Sequence, residues 1–164
     1  LFRALARLRH LPWRLHCAGS ETLDSATAAR LRVLIDELGL GDRMAMLGEL
    51  DADQLAARYQ EADAFVLPSF HEGYGMVLAE ALARGLPIVS TTAGAIPDTV
   101  PADAGLLVPP GDEAALAEAL ARVLTEPELR QRLATGARKA RETLPDWPSV
   151  CARFAATLDT VSAR

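Results

Sequence analysis

Short apolar runs alternate along this chain with longer stretches whose apolar residues recur at helical spacing, and that alternation leaves few architectures open. Trp13 to Ala18 is an apolar-rich strand candidate ending at Gly19-Ser20. Ala26 to Leu38 reads as a helix because Leu31, Leu34, Ile35 and Leu38 fall at i, i+3, i+4 and i+7, with Gly39 in the stop position. Met44 to Leu47 is a second strand broken at Gly48, and Asp51 precedes a helix whose Leu55, Tyr59 and Ala62 share one face. Ala64 to Leu67 is a third strand, halted by Pro68-Ser69. After a glycine-punctuated loop, Met76 to Arg84 has helical spacing and stops at Gly85. Ile88 to Ser90 and Gly105 to Val108 complete the strands, the last followed by Pro109-Pro110-Gly111. Beyond that the pattern is helical throughout: Leu116, Leu120, Val123 and Leu124 on one face, Leu129 and Leu133 on another, then a stripe of Trp147, Val150, Phe154, Leu158 and Val161. Strands separated by helices imply βαβ units, hence an α/β fold with a parallel sheet covered on both faces.

Half of the 164 residues are hydrophobic and only 5% aromatic, so an aliphatic core of one ordinary domain is expected and disorder over most of the length is excluded. Residues 1–144 are read as that domain and 145–164 as a C-terminal helix. With 17 basic against 22 acidic residues the net charge is −5, which argues against a generic partner role with nucleic acid. No apolar run approaches the roughly 18 to 20 residues needed to cross a bilayer. The basic, amphipathic opening Leu1 to Leu11 has the look of a targeting or membrane-surface segment, but the plainer reading is a surface helix with Leu1, Leu5 and Leu8 facing a core. Cys17 and Cys151 lack metal-ligand or disulfide spacing and are expected to be buried, small apolar residues in a reducing, cytoplasmic setting. The chain opens at Leu1 rather than methionine, so it is expected to be a piece of something longer.

In doubly wound α/β sheets, ligands bind beyond the carboxyl ends of the strands. The segment there that stands out runs from Pro68 to Glu80 and contains Glu72-Gly73-Tyr74-Gly75. Gly73 and Gly75 let backbone approach a ligand closely, and a helix starting near Gly75 aims unpaired N–H groups at whatever sits before it, as a phosphate requires. Glu72 lies in the loop and Glu80 in the second helical turn, near the same helix end. Carboxylates accept hydrogen bonds from vicinal diols while amides take phosphate, and a nucleotide-sugar carries both groups. The competing reading of the two glutamates is a helix N-terminal charge opposing the macrodipole and a solvated face; spacing alone leaves both open.

With Glu72 and Glu80 in a Glu-x7-Glu spacing, Gly73-Tyr74-Gly75 inside it and Pro68-Ser69 before it, the stretch from Phe65 to Gly111 resembles the retaining nucleotide-sugar glycosyltransferases of family 4, the group 1 enzymes of GT-B fold. Glu80 to Val89, Gly94, Pro97 and Gly105 to Asp112 fall where that family has them, as do Leu38 to Arg43 and Leu47-Gly48 upstream. The resemblance implies a Rossmann-like, doubly wound C-terminal half that binds the sugar donor. It implies that Glu72 contacts donor-sugar hydroxyls near the reacting centre and that Glu80 holds the ribose diol. Backbone amides around Gly73, Tyr74, Gly75, Met76 and Val77 would meet the sugar and diphosphate, and Leu50 matches a position against the nucleobase, with plain packing as the alternative. No metal or other cofactor is implied, the nucleotide-diphosphate-sugar being the substrate. His71 stands where the family varies, and is expected to be a partly exposed loop histidine.

The family's cationic phosphate clamp lies just after a first strand that has no match here. The expectation is therefore a sheet lacking a central strand, with unpaired edges on two neighbours, and a chain that does not transfer sugar at a meaningful rate without an N-terminal acceptor-binding half. The final stripe resembles a C-terminal helix that crosses to the other half; uncovered, its apolar face favours self-association. Peripheral membrane association of the parent protein is a further expectation. The alternatives are a non-catalytic nucleotide-sugar-binding module and another GT-B enzyme, such as a sugar-nucleotide epimerase or a glycogen phosphorylase relative; for the last, Lys139 in a polar helical stretch is the only lysine available. A dinucleotide oxidoreductase is disfavoured because no G-x-G-x-x-G follows the first strand.

Overall fold

A computed structural model of the chain describes residues 1–142, 144 and 147–162. The order of elements is α1 (Phe2–Ala6), β1 (Leu15–Ala18), α2 (Ser25–Glu37), β2 (Met44–Gly48), α3 (Ala52–Glu61), β3 (Phe65–Leu67), α4 (Met76–Ala83), β4 (Ile88–Thr91), α5 (Ile96–Thr99), β5 (Gly105–Val108), α6 (Glu113–Thr125), α7 (Pro127–Arg141) and α8 (Trp147–Ser162). The α/β alternation read from the sequence holds. Its boundaries move by a residue or two: β1 begins at Leu15 because Trp13, buried, donates its indole N–H back to the Leu8 carbonyl at 2.9 Å and leaves the strand direction. The opening helix stops at Ala6, with Phe2, Leu5 and Leu8 buried. The four-residue α5 has no period long enough to read from sequence.

All strand pairs are parallel, but they form two ladders, β1–β2 and β3–β4–β5, which no hydrogen-bonded pairing joins among the described residues. Val89 of β4 sits between Val66 and Leu106, and among the described residues β4 is the one strand paired on both sides. Among the described residues β1, β2, β3 and β5 each keep one edge without a ladder partner. Packing, not backbone pairing, connects the ladders. One apolar cluster takes Leu15, Cys17 and Met44 from the first ladder and Val66, Val89 and Val108 from the second, under residues of α1, α2 and α6. The alternate residues Phe65, Leu67, Ile88 and Leu107 face the opposite way, into a second cluster with Tyr59 of α3, Leu78 and Leu82 of α4, Ile96 of α5 and Ala137 of α7. Helices thus cover both faces of the second ladder, the doubly wound arrangement.

The boundary drawn at 144/145 touches Pro145 and Asp146, which lie outside the described residues. In α8, Val150, Phe154 and Leu158 are exposed on one stripe, while the side chains of Trp147 and Val161 lie outside the described residues. The expectation that both cysteines are buried is corrected at Cys151, which is exposed on α8; Cys17 is half-buried on β1, and that burial pushes its thiol pKa up. No helix among the described residues is long and apolar enough to cross a membrane.

Candidate functional site

The loops that follow β3, β4 and β5 converge through side chains of β4 and the backbone after it. Ser90 donates to the Leu67 carbonyl at 2.5 Å and Thr91 to the Ser69 carbonyl at 2.6 Å, fastening the exit of β3. The Thr92 amide donates to the Val108 carbonyl at 2.9 Å, and the Ala95 amide to the Glu72 carbonyl at 2.9 Å. Thr99 reaches across to the Tyr74 carbonyl at 3.0 Å. The segment from Glu72 to Tyr74 is therefore held from below by the turn and short helix that follow β4. Gly94 makes this approach feasible: its φ is +53°, and a Cβ there would lie 3.1 Å from both the N and C atoms of Glu72 and closer still to its carbonyl oxygen.

α4 starts at Gly75, whose φ of 80° and ψ of 41° place it in the left-handed region. Its amide donates to Oε1 of Glu72 at 3.0 Å. Two readings of the sequence meet here. Gly75 was expected to offer its N–H to a ligand; instead Glu72 takes it, because a carboxylate beside a helix N-terminus is stabilised both by the bond and by the macrodipole. Oε2 of Glu72 and the amides of Met76 and Val77 have no partner among the described residues. Those two amides belong to the first turn, which has no intrahelical acceptor to offer them.

Glu80 follows five residues after Gly75, roughly 7.5 Å along the helix axis at 1.5 Å per residue. It is exposed, on the side of α4 opposite the buried Leu78 and Leu82. Its Oε2 accepts a hydrogen bond at 3.3 Å from the hydroxyl of Tyr59, which reaches it from α3. One helix end and its flank thus carry both glutamates, each with one oxygen engaged and one without a partner. Around them the surface is open and apolar: Phe70 is 79% exposed, Tyr74 64% and Met76 70%. Neither of two shallow hollows, one lined by Asp103, Gln131 and Lys139 and the other by Arg7, Asp112 and Glu118, includes any of these residues. Gly73 is exposed, with nothing within 4 Å of where its Cβ would stand.

Leu50 is half-buried in the connection from β2 to α3, one residue before the Asp51 cap, and belongs to neither apolar cluster. His71 is an exposed loop residue, in line with the plainer reading. The described ion pairs, Arg32–Glu21, Arg58–Glu61 and Arg122–Glu126, all lie away from the loop. No cluster of potential metal ligands occurs among the described residues. Sequence reasoning assigned Tyr59 only to a packing face. The signal available was a tyrosine on the buried side of an amphipathic helix, since a buried phenol needs a partner for its hydroxyl.

Residues 1–140 match the family described as glycosyl transferases group 1. An MMP α-(1→4)-mannosyltransferase of Mycolicibacterium hassiacum is 35% identical over 133 residues, covering 80% of this chain and 32% of its own length. Among solved structures, a sucrose-phosphate synthase of Thermosynechococcus elongatus superposes with a TM-score of 0.87 at 32% identity, over 99% of this chain and 41% of its own. Anabaena HepE, solved in complex with UDP, superposes with a TM-score of 0.86 at 25% identity, over 98% of this chain and 44% of its own. This chain therefore spans about a third of the length of the curated relatives it matches, 32% for that mannosyltransferase. On the match over residues 1–140, in which Glu72 and Glu80 both fall, the chain belongs to the group 1 glycosyl transferases.

Proposed function

We propose that this chain is the donor-binding part of a glycosyltransferase that moves a sugar from a nucleotide-sugar to an acceptor hydroxyl with retention of configuration. The observation that carries the reading is the start of α4, where Glu72 in the preceding loop holds the Gly75 amide, Glu80 stands on the helix flank and the amides of Met76 and Val77 are unengaged. In this reading the free oxygen of Glu72 accepts from a hydroxyl of the donor sugar and Glu80 accepts from the ribose diol. The amides of Gly73, Tyr74, Met76 and Val77 meet the diphosphate, where negative charge grows as the glycosidic bond breaks and fixed donors are most effective. Leu50 lies against the base. HepE's complex with UDP supports a uridine nucleotide as the first ligand to try.

Retention follows if the acceptor hydroxyl attacks on the face the diphosphate leaves, guided by the departing phosphate, with no metal or other cofactor required. An N-terminal half supplies the acceptor site and the cationic clamp, so the chain by itself binds donor without turning it over. Peripheral membrane contact and a reducing, cytoplasmic location are assigned to the parent protein, the latter in keeping with two free thiols. A binding module without catalysis is favoured for the isolated chain by its coverage of only 32% of the mannosyltransferase.

The test is thermal stabilisation by UDP-, GDP- and ADP-sugars, with Glu80→Ala beside the wild type. One base is expected to raise Tm by several degrees, and the variant to abolish that shift. No shift with any base, or an equal shift in the variant, rejects the reading. Joining the chain to an N-terminal half then separates a transferase from a binder.

A further inference from the structure

Tyr59 is 7% exposed, and two neighbours pack on its ring. Phe65 packs on it at a centroid distance of 6.0 Å, and the guanidinium of Arg84 lies 4.9 Å over the ring. Its hydroxyl meets Oε2 of Glu80 on α4 at 3.3 Å. Glu80 itself is exposed and anchored by nothing else among the described residues. An exposed glutamate on a helix flank samples many rotamers, and a ligand that needs one of them must supply the ordering entropy itself. A rigid donor that selects one rotamer in advance removes that cost. The donor is permanent, because burial first, and the Glu80 charge second, push the Tyr59 pKa up to about 12.

We propose that Tyr59 is the positioning residue for Glu80: its buried hydroxyl clamps Oε2 and so presents Oε1 to the vicinal diol of a bound nucleotide. The proposal rests on Glu80 holding that diol. Tyr59 touches no ligand and acts through Glu80 alone. Arg84 contributes by packing its guanidinium on the ring, which keeps the phenol from tilting away from α4.

The experiment titrates the chain and its Tyr59→Phe variant with UDP, GDP and ADP and with the 2′,3′-dideoxy form of each. Wild type should bind the ribose form of its preferred base at least tenfold more tightly than the dideoxy form. Tyr59→Phe should lose about tenfold for the ribose form, the scale of one hydrogen bond to a charged group, and less than twofold for the dideoxy form. In a Glu80→Gln background the tyrosine substitution should change little, because the two residues act as one unit. Equal weakening of both ligand forms by Tyr59→Phe, or additive losses with Glu80→Gln, overturns the positioning role. Failure of wild type to distinguish ribose from dideoxy forms overturns it by a different route, by removing Glu80 from the diol. Tyr59→Phe keeps the ring and its packing, so its melting curve should stay within a few degrees of wild type.

Discussion

Replacing Gly94 by alanine puts a methyl group against the backbone of Glu72, which sits below the surface on which the proposed donor site depends. The new Cβ would stand 3.1 Å from the N and C atoms of Glu72 and nearer to its carbonyl oxygen, where ordinary contacts begin at about 3.4 Å. Backbone cannot rotate out of the way as a side chain can. Three costs follow: roughly 1–2 kcal/mol for a non-glycine residue at φ +53°, roughly 1–3 kcal/mol for overpacking, and about 1 kcal/mol for the Ala95 N–H to Glu72 carbonyl bond as the two segments part. A loss near 4 kcal/mol is expected, or roughly 10 °C in Tm for a chain of this size. If the loop yields instead of the fold, stability falls less but Glu72 moves away from the start of α4, and a shift of about 1 Å at the group proposed to meet the donor sugar should cost on the order of a hundredfold in rate. Urea and thermal unfolding measure the first outcome, and sugar transfer by the chain joined to an N-terminal half measures the second. Gly73→Ala is the control for stability: with nothing within 4 Å of its Cβ, it should change unfolding by less than about 0.5 kcal/mol. A Gly94→Ala protein that melts with the wild type and keeps full activity after joining would refute the reasoning.

Three further outcomes are expected. Raising the pH should destabilise the chain through Tyr59: below pH 10 the phenol is protonated in both states and its contribution is complete. Above that the unfolded chain ionises first, and on the order of 2–3 kcal/mol is lost by about pH 12. Tyr59→Phe should flatten that part of the stability profile, and an unchanged profile would contradict the buried, carboxylate-paired phenol. Glu72→Gln keeps an acceptor for the Gly75 amide but removes the charge at the α4 terminus. It should cost less than about 1 kcal/mol in unfolding while lowering transfer at least about a hundredfold in a protein that carries both halves. Hydrogen exchange should be slowest in β4, whose residues are all buried and of which Ile88, Val89 and Ser90 are paired on two sides, and about a hundredfold faster in β1, where His16 and Ala18 are exposed beside an open edge. Uniform protection across the two ladders would show that they form one cooperative sheet after all.

Much of this was legible before any coordinates. Leu31, Leu34, Ile35 and Leu38 announce α2 by spacing alone, and all four pack into the first apolar cluster. Asp51, read as the residue before a helix, caps α3 through reciprocal bonds with Gln54, at 2.8 Å from the Gln54 amide and 3.1 Å from the Asp51 amide. The Glu72–Glu80 pair was legible as chemistry but not as geometry. Spacing could not tell a ligand-facing glutamate from one serving the helix end, and in the structure one oxygen of Glu72 accepts from the Gly75 amide while the other has no partner among the described residues.

What the chain determines locally is the existence, order and facing of its elements, because helix and strand periods are set by residues a few positions apart that share one turn or one pleat. What only the tertiary structure decided are relations between distant segments: the grip of Ala95 and Thr99 on the Glu72 loop, and the reach of Tyr59 across 21 positions to Glu80. Each of these depends on where a neighbouring element packs once apolar faces have been buried, and no local period encodes that distance.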